Sequence, residues 1–326
     1  MLKMNQKLVE YIENSFLKPL LEMPSVTDIS YNGVAIFYMD NLLGRKKADF
    51  EVKKEEAMDF IRQIANLSER QFSFSVPTLD VSVSRYRINA EHTSVVRVND
   101  DKSISFSIRI ASTELRISDH DKFMEKEARK IIFDALDAHK SIVIAGPTGS
   151  GKTEFQKYLI SKLEDNSRII IIDNIQELDY VRFNENLDIT SWQISPTILE
   201  GNAQSLIRNA LRNNPDWLVV AESRGKEMAD ALNAVMTGHP IITTLHAESI
   251  ELIPRRMMRM VQMNNYDEPS QDILSDIYTH IPVFVHLGRE IKKNKHVVRY
   301  VDSIALSNGV DALNIVYKRK SNHEES

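Results

Sequence analysis

The octet Gly146-Pro147-Thr148-Gly149-Ser150-Gly151-Lys152-Thr153 constrains this chain more than any other feature. The apolar run Ser141-Ile142-Val143-Ile144-Ala145 precedes it and reads as a buried strand, and Glu154 to Ile160 follows and reads as a helix. Strand, glycine-rich loop, Lys-Thr and helix in that order specify a phosphate loop. Its glycines let successive backbone N–H groups curl around phosphate oxygens, and the helix N-terminus adds the favourable end of its dipole. In such a loop Lys152 neutralises the β- and γ-phosphates of ATP and the Thr153 hydroxyl ligates Mg2+. The loop specifies a nucleotide; it does not specify how the energy is used.

The chain has 326 residues, enough for about two domains. It contains no cysteine, which excludes a disulfide framework and a cysteine-ligated zinc site. A net charge of −5 argues against wrapping duplex DNA, so no direct nucleic-acid partner is expected. No apolar run approaches the about 20 residues of a membrane helix. Met1-Leu2-Lys3-Met4-Asn5 does not lead into a signal-peptide core. The expectation is a cytoplasmic protein that meets a membrane only through partners.

Residues 1–112 read as an α+β domain. Helices are expected over 6–22 and 54–68, with strands over 26–31 and 34–38 joined at the turn dipeptide Asn32-Gly33. In residues 85–90, alternation puts Tyr86, Ile88 and Ala90 on one face and Arg85, Arg87 and Asn89 on the other. Ile104, Phe106, Ile108 and Ile110 likewise oppose Ser105, Ser107 and Arg109. The sheet thus has an apolar face and an arginine-bearing face. Residues 113–124 are polar and read as a linker. From 125 to 326, strands at 141–145, 168–172, 217–221 and 241–245 alternate with helices, which implies a mostly parallel, helix-covered α/β sheet. Residues 249–279 read as helical, and 282–287 and 296–318 as terminal β structure.

Three further segments carry chemistry. Arg168-Ile169-Ile170-Ile171-Ile172-Asp173 is a buried strand ending in a carboxylate, with Glu177 just beyond, placed to orient the water that attacks a γ-phosphate. Trp217 to Glu222 is a second such strand. Glu222 reaches Mg2+ or its water shell if this strand neighbours that of the phosphate loop. Arg224 either pairs with Glu222 or reads a phosphate. Thr237-Gly238-His239-Pro240 leads into a third strand that ends at His246-Ala247. A neutral imidazole there, His239 or His246, senses a γ-phosphate or orients a carboxylate.

These segments, in this order, resemble the secretion traffic ATPases, the hexameric motors of type II and type IV secretion, conjugation and type IV pili. The resemblance rests on Gly146–Thr153, on an aspartate box at Arg168–Glu177, on a Walker B segment at Ala221–Arg224 and on a histidine box at Thr237–Ala247. Leu211-Arg212-Asn213-Asn214-Pro215-Asp216 adds to it. So does the stretch from Leu17 to Ile29, in a form similar to the type IV secretion and Tad pilus branch. It implies a C-terminal RecA-like P-loop ATPase domain with a smaller N-terminal α+β domain, Mg-ATP hydrolysis, and a homo-oligomer, a hexamer, at inner-membrane platform proteins. It also implies that N-terminal arginines reach the γ-phosphate; Arg87 and Arg109 match best, with Arg85 and Arg97 in reserve and a solvated strand face the alternative for each. Three positions depart from the pattern. Asp173 stands for the glutamate of the aspartate box, Asn174 for its aspartate and Ala221 for the Walker B glycine. Asp173 reaches about 1.5 Å less, and a displacement of that size can cost ~100-fold in rate. A nucleotide-regulated assembly subunit with weak hydrolysis, or a DNA translocase, are the competing readings. The histidine box lacks the Gly-Ser pair common in the type IV secretion branch, which leaves the branch open.

Overall fold

The computed structural model describes residues 2–112, 114–118, 122–174, 177–178, 185–195, 198–264, 268–292 and 296–320. Two compact units form: Met1–Thr113 together with Ile291–Val298, and Glu114–Glu290 together with Arg299–Ser326.

The first unit contains α1 (Leu2–Glu13), α2 (Lys18–Leu21), β1 (Val26–Tyr31), β2 (Ile36–Asp40), β3 (Gly44–Lys47), α3 (Lys54–Leu67), β4 (Thr78–Val83), β5 (Tyr86–Glu91), β6 (Arg97–Val98), β7 (Asp101–Lys102) and β8 (Ser105–Ile110). Six strands form an antiparallel sheet in the order β3-β2-β1-β8-β5-β4. The apolar stripes of α1 and α3, with Leu8, Ile12, Phe60, Ile61 and Ile64, share one core with Ile29, Tyr31, Ile88, Phe106 and Ile108 of the sheet. The expected helix over 6–22 is two helices. Ser15 Oγ donates to the Ile12 carbonyl and accepts the Leu17 N–H, which diverts the backbone from the helical pattern. Pro19 then sits in the first turn of α2, where its missing N–H does no harm. The Asn32 turn forms as expected, Asn32 Oδ1 accepting the N–H groups of Val34 and Ala35 at 3.0 and 2.9 Å.

The second unit contains α4 (Lys126–Asp137), β9 (Ile142–Ala145), α5 (Lys152–Ile160), β10 (Arg168–Asp173), β11 (Asp188–Gln193), α6 (Ala203–Ala210), β12 (Trp217–Val220), α7 (Glu227–Met236), β13 (Ile241–Leu245), α8 (Ile253–Gln262), α9 (Ser270–His280), β14 (Val283–Ile291), β15 (Val297–Ser307) and β16 (Leu313–Lys318). The tip between β14 and β15, Ile291–Val298, groups with the first unit. Eight strands run in the order β11-β10-β12-β13-β9-β14-β15-β16. All pairs from β11 to β14 are parallel, and β15 and β16 are antiparallel. The phosphate-loop strand β9 lies inside the sheet and is buried on both faces. Ile142 and Ile144 join one core with Ile132, Phe155 and Leu159, and Val143 and Ala145 join the other with Met228, Ala231, Met257 and Ile277. That two-sided burial is why the run is continuously apolar rather than alternating.

The helical stretch over 249–279 is divided. A 3-10 turn at Ile250–Leu252 precedes α8, which carries Pro254 in its first turn, and Pro269 caps the start of α9. Strand β11, without a continuous apolar run, was not legible as a strand. It is an edge strand held in register by its neighbour, and Arg168 Nη1 lies 2.7 Å from Asp188 Oδ2. Because Ile144 is fully buried between two helical layers, Ile144→Ala is expected to lose about 2–5 kcal/mol in urea unfolding. Ile315→Ala on the outer strand, where the side chain is 44% exposed, is expected to lose well under half of that.

Candidate nucleotide site

The loop leaves the carboxyl end of β9 and enters α5 at Lys152. Gly146 is required by proximity: a Cβ there would sit 2.6 Å from the Leu287 carbonyl oxygen. Lys152 is 8% exposed. Its Nζ donates to the carbonyls of Gly146 and Pro147 at 3.0 and 3.2 Å and to His246 Nδ1 at 3.3 Å. His246 follows β13, and its Nε2 lies 3.2 Å from Glu222 Oε1. Glu222 follows β12, and its Oε2 accepts from Arg224 Nη2 at 2.7 Å. Asp173 ends β10 and its charge is felt at Arg224. Since β10, β12, β13 and β9 are consecutive neighbours in the sheet, their carboxyl ends and the loop beyond β9 present one row of polar and charged side chains: Asp173, Arg224, Glu222, His246, Lys152.

Side-chain bonds fix the strand ends that carry this row. Thr244 Oγ1 donates to the Ala221 carbonyl at 2.7 Å, the Ser223 N–H donates to the Thr244 carbonyl at 2.8 Å, and Ser223 and Thr243 hydroxyls meet at 2.9 Å. From α5, the buried Gln156 amide donates to the carbonyls of Val220 and Ile242, each at 3.1 Å. Glu227 at the start of α7 accepts the N–H groups of Arg224 and Gly225, which sets the turn after Glu222.

The electrostatics follow from burial and neighbours. Burial pulls the Lys152 ammonium down to about 8, against the opposing charge of Glu222. For Glu222, burial pushes upward but is outweighed by the Arg224 hydrogen bond and the charges of Arg224, His246 and Lys152, which hold it below the usual glutamate value. Burial first and Lys152 second lower His246, against Glu222. His246 is therefore neutral at pH 7, with Nδ1 accepting from Lys152 and the proton on Nε2, toward Glu222.

Several expectations need correction. The Glu222 strand does not neighbour the phosphate-loop strand; β13 lies between them and His246 spans the gap. Arg224 is engaged by Glu222. His239 precedes β13 at its amino end, 3.3 Å from Thr237 Oγ1, with a strand of roughly 16 Å separating it from His246. It is not part of the row. Asp173 is 3% exposed and its Oδ2 accepts the Leu178 N–H at 3.2 Å. Glu177 is half-buried in the turn beside Leu178, while Ile175 and Gln176 of the aspartate box lie outside the described residues. Arg87 and Arg109 lie in the first unit, directly opposite each other on β5 and β8. Each has a carboxylate: Arg87 lies 3.4 Å from Asp80 and Arg109 lies 3.3 Å from Asp28. Arg85 instead covers the Tyr86 ring and donates to the Leu21 carbonyl, and Arg97 is exposed on β6. Ser223 and Thr244 lie within the Walker B segment and the histidine box without having been singled out. Gln156 had no sequence signal. Nor did Arg289 and Arg299, which touch the phosphate loop from β14 and β15.

The donors present suit Mg-ATP. Ser150 Oγ is a buried oxygen without a formed hydrogen bond, Glu222 Oε1 is buried with only the His246 imidazole beside it, and the Thr153 hydroxyl stands in the first turn of α5. Such an all-oxygen set matches a hard cation and its water shell. No cluster of three or more His, Asp or Glu residues able to hold a metal by themselves exists among the described residues.

A parallel sheet with its phosphate loop on an inner strand, and a carboxylate, a histidine and a buried lysine in line across the neighbouring strand ends, defines a RecA-like P-loop ATPase of two-domain α/β architecture. Residues 67–293 match the family described as Type II/IV secretion system protein, and the chain belongs to that family. An uncharacterized protein of Bacillus anthracis is 27% identical over 336 residues, covering 96% of this chain and 73% of the relative. The type IV secretion system protein VirB11 of Brucella suis is 32% identical over 162 residues, which are 47% of this chain and 44% of that protein. Among solved structures, the ATPase DotB of Legionella pneumophila shares the fold with a TM-score of 0.69 at 20% identity, over 90% of this chain and 80% of that one. No described helix is long and apolar enough to cross a membrane.

Because Lys152 titrates near pH 8 and phosphate favours its charged form, ATP affinity is expected to fall as pH rises through about 8, by up to about tenfold per unit. Lys152→Arg, charged throughout, is expected to lose that slope. Equilibrium titration with Mg-ATP between roughly pH 7 and 9.5 reads both. The same displacement from 10.5 to about 8 makes the charged lysine destabilising to the fold at neutral pH. That penalty is relieved as pH rises from about 8 toward the unfolded-state value.

Proposed function

We propose that this ATPase is a ring-forming motor subunit of a type IV secretion, conjugation or pilus assembly machine, a hexamer that acts on membrane-embedded platform proteins. The observation that carries the reading is the row Asp173–Arg224–Glu222–His246–Lys152 across four neighbouring strand ends, beside the phosphate loop. Family membership and the likeness to VirB11 and DotB support the type of machine.

In this reading the loop amides and Lys152 hold the β- and γ-phosphates of ATP, and Lys152 exchanges the carbonyls of Gly146 and Pro147 for phosphate oxygens. The Thr153 hydroxyl would hold Mg2+, with Glu222 acting through a water. Bound Mg2+ neutralises charge that develops on the phosphates. Arg224 keeps Glu222 ionised and fixes its Oε2, while Oε1, beside His246 Nε2, has a second lone pair for the water shell. His246, neutral, links Glu222 to Lys152 and so couples the carboxylate to the γ-phosphate position. Asp173 orients the attacking water from within the buried strand end, with Glu177 as the second acidic group. Arg87 and Arg109 supply the arginine charge that meets the γ-phosphate when the first unit closes on a nucleotide, in the same or a neighbouring subunit. Their present partners are surface carboxylates, and exposed pairs of that kind are worth about 0–1 kcal/mol, so a phosphate can replace them. Closure with ATP and release after hydrolysis give the rigid-body swing that would move a partner.

Mg2+-dependent phosphate release is expected in the wild type and is expected to be lost in Lys152→Ala and Glu222→Gln; equal residual release in all three would sink the motor reading. The short reach of Asp173 favours one second reading, an assembly subunit that binds nucleotide and hydrolyses it slowly. Asp173→Glu discriminates. A rate increase toward ~100-fold identifies the missing methylene as the limit, whereas a fall shows that the site is already fitted to aspartate. A DNA translocase would show ATPase stimulation by DNA with a steep salt dependence, which the net charge of −5 argues against.

A further inference from the structure

Two arginines grip the phosphate loop. Arg299 Nε, on β15, donates to the Gly149 carbonyl at 2.7 Å. Arg289 Nη1, on β14, donates to the Thr148 carbonyl at 3.4 Å. The seat is shaped for them: Gly149 has φ +76, and a Cβ there would lie 3.2 Å from Arg289 Nη1, while one on Gly151 would lie 3.4 Å from Arg299 Cδ. The glycine at 149 thus serves the arginine as well as the turn. Both arginines are half-buried.

A trans peptide carries its C=O and the following N–H on opposite sides. Donors on the carbonyls of Thr148 and Gly149 therefore leave the N–H groups of Gly149 and Ser150 directed away from the arginines; that of Ser150 donates to the Pro147 carbonyl at 3.2 Å, a bond that a phosphate oxygen would replace. Hydrogen bonding to one end of a peptide unit polarises it and strengthens the other end, most of all when the donor is charged. We infer that Arg289 and Arg299 are positioning residues for the nucleotide, holding two carbonyls of the phosphate loop so that the amides of the same peptide units receive phosphate oxygens. The charge balance agrees. Arg299 is lowered by burial and then by the charges of Arg289 and Arg116, against Glu154. Glu154 is itself shared with Lys157 at 3.0 Å. Cations gathered beside this loop favour an anion on it.

The inference rests on the reading of the loop as a nucleotide site, and the test separates the two. Wild type, Lys152→Ala, Arg299→Ala, Arg299→Gln, Arg299→Lys and Arg289→Ala are titrated with Mg-ATP, with thermal unfolding recorded for each. Arg299→Ala and Arg299→Gln are expected to bind Mg-ATP about tenfold more weakly, with KM rising more than kcat falls. Arg289→Ala is expected to lose less, in keeping with its longer contact, and Arg299→Lys to recover part of the loss because the charge remains. Arg299→Gln retains most of the stem against Gly151, so it reports on affinity if the alanine variant does not fold. Folded Arg299 variants that bind within twofold of wild type, while Lys152→Ala loses binding, would overturn the inference and leave the nucleotide reading standing. A wild-type protein that does not bind Mg-ATP would overturn both.

Discussion

Burying the ammonium of Lys152 is the condition around which the second unit is built. An ammonium withdrawn from water costs several kcal/mol unless it is partnered, and here two loop carbonyls and a neutral imidazole share that role. The imidazole is neutral because the lysine lies beside it and burial disfavours a second charge. The Lys152 donor on Nδ1 fixes the tautomer, which leaves the Nε2 proton toward Glu222. Arg224 completes the balance on the far side of that carboxylate. Removing Glu222 or His246 takes a partner from its neighbours in the row, so these residues act as a unit with Lys152 rather than independently.

The sheet makes the row possible. Parallel strands bring their carboxyl ends to one edge, and the order β10-β12-β13-β9 sets the sequence in which the side chains meet. Lateral precision comes from polar groups inside an otherwise apolar layer. The Gln156 amide joins α5 to two strands at once. The hydroxyls of Ser223, Thr243 and Thr244 stitch β12 to β13 where Glu222 and His246 leave them. These atoms carry no charge and touch no phosphate. Their effect is to hold the distance between a carboxylate and an imidazole on adjacent strands.

Much of this was legible in the sequence, for a physical reason. A phosphate loop, a strand buried on both faces and a carboxylate at a strand end are local patterns, written within about ten residues. The alternation in residues 85–90 and 104–110 likewise predicted the apolar and arginine-bearing faces of the first sheet, and the register sets Arg87 directly opposite Arg109. What was not legible depends on strand order or on distant contacts. Whether the Glu222 strand neighbours the loop strand was open in the sequence, and it stands one strand further away. Arg299 reaches Gly149 across 150 residues of sequence, and no local pattern marks it.

The two carboxylates of the row differ in kind, and that difference decides their roles. Glu222 accepts from Arg224 and is surrounded by positive charge, which holds it below the ordinary glutamate value. A carboxylate stabilised in that way is a poor proton acceptor, so its contribution is to fix charge and water. In the proposed mechanism the proton-accepting and water-orienting part then belongs to the other end of the row. There Asp173 is enclosed at the end of β10, with the Leu178 N–H on one oxygen. An aspartate has fewer side-chain torsions than a glutamate, so enclosure fixes its carboxylate more firmly while shortening its reach. On the proposed reading, turnover in this chain would depend on where β10 delivers a short, rigid side chain rather than on how a longer one is steered into place.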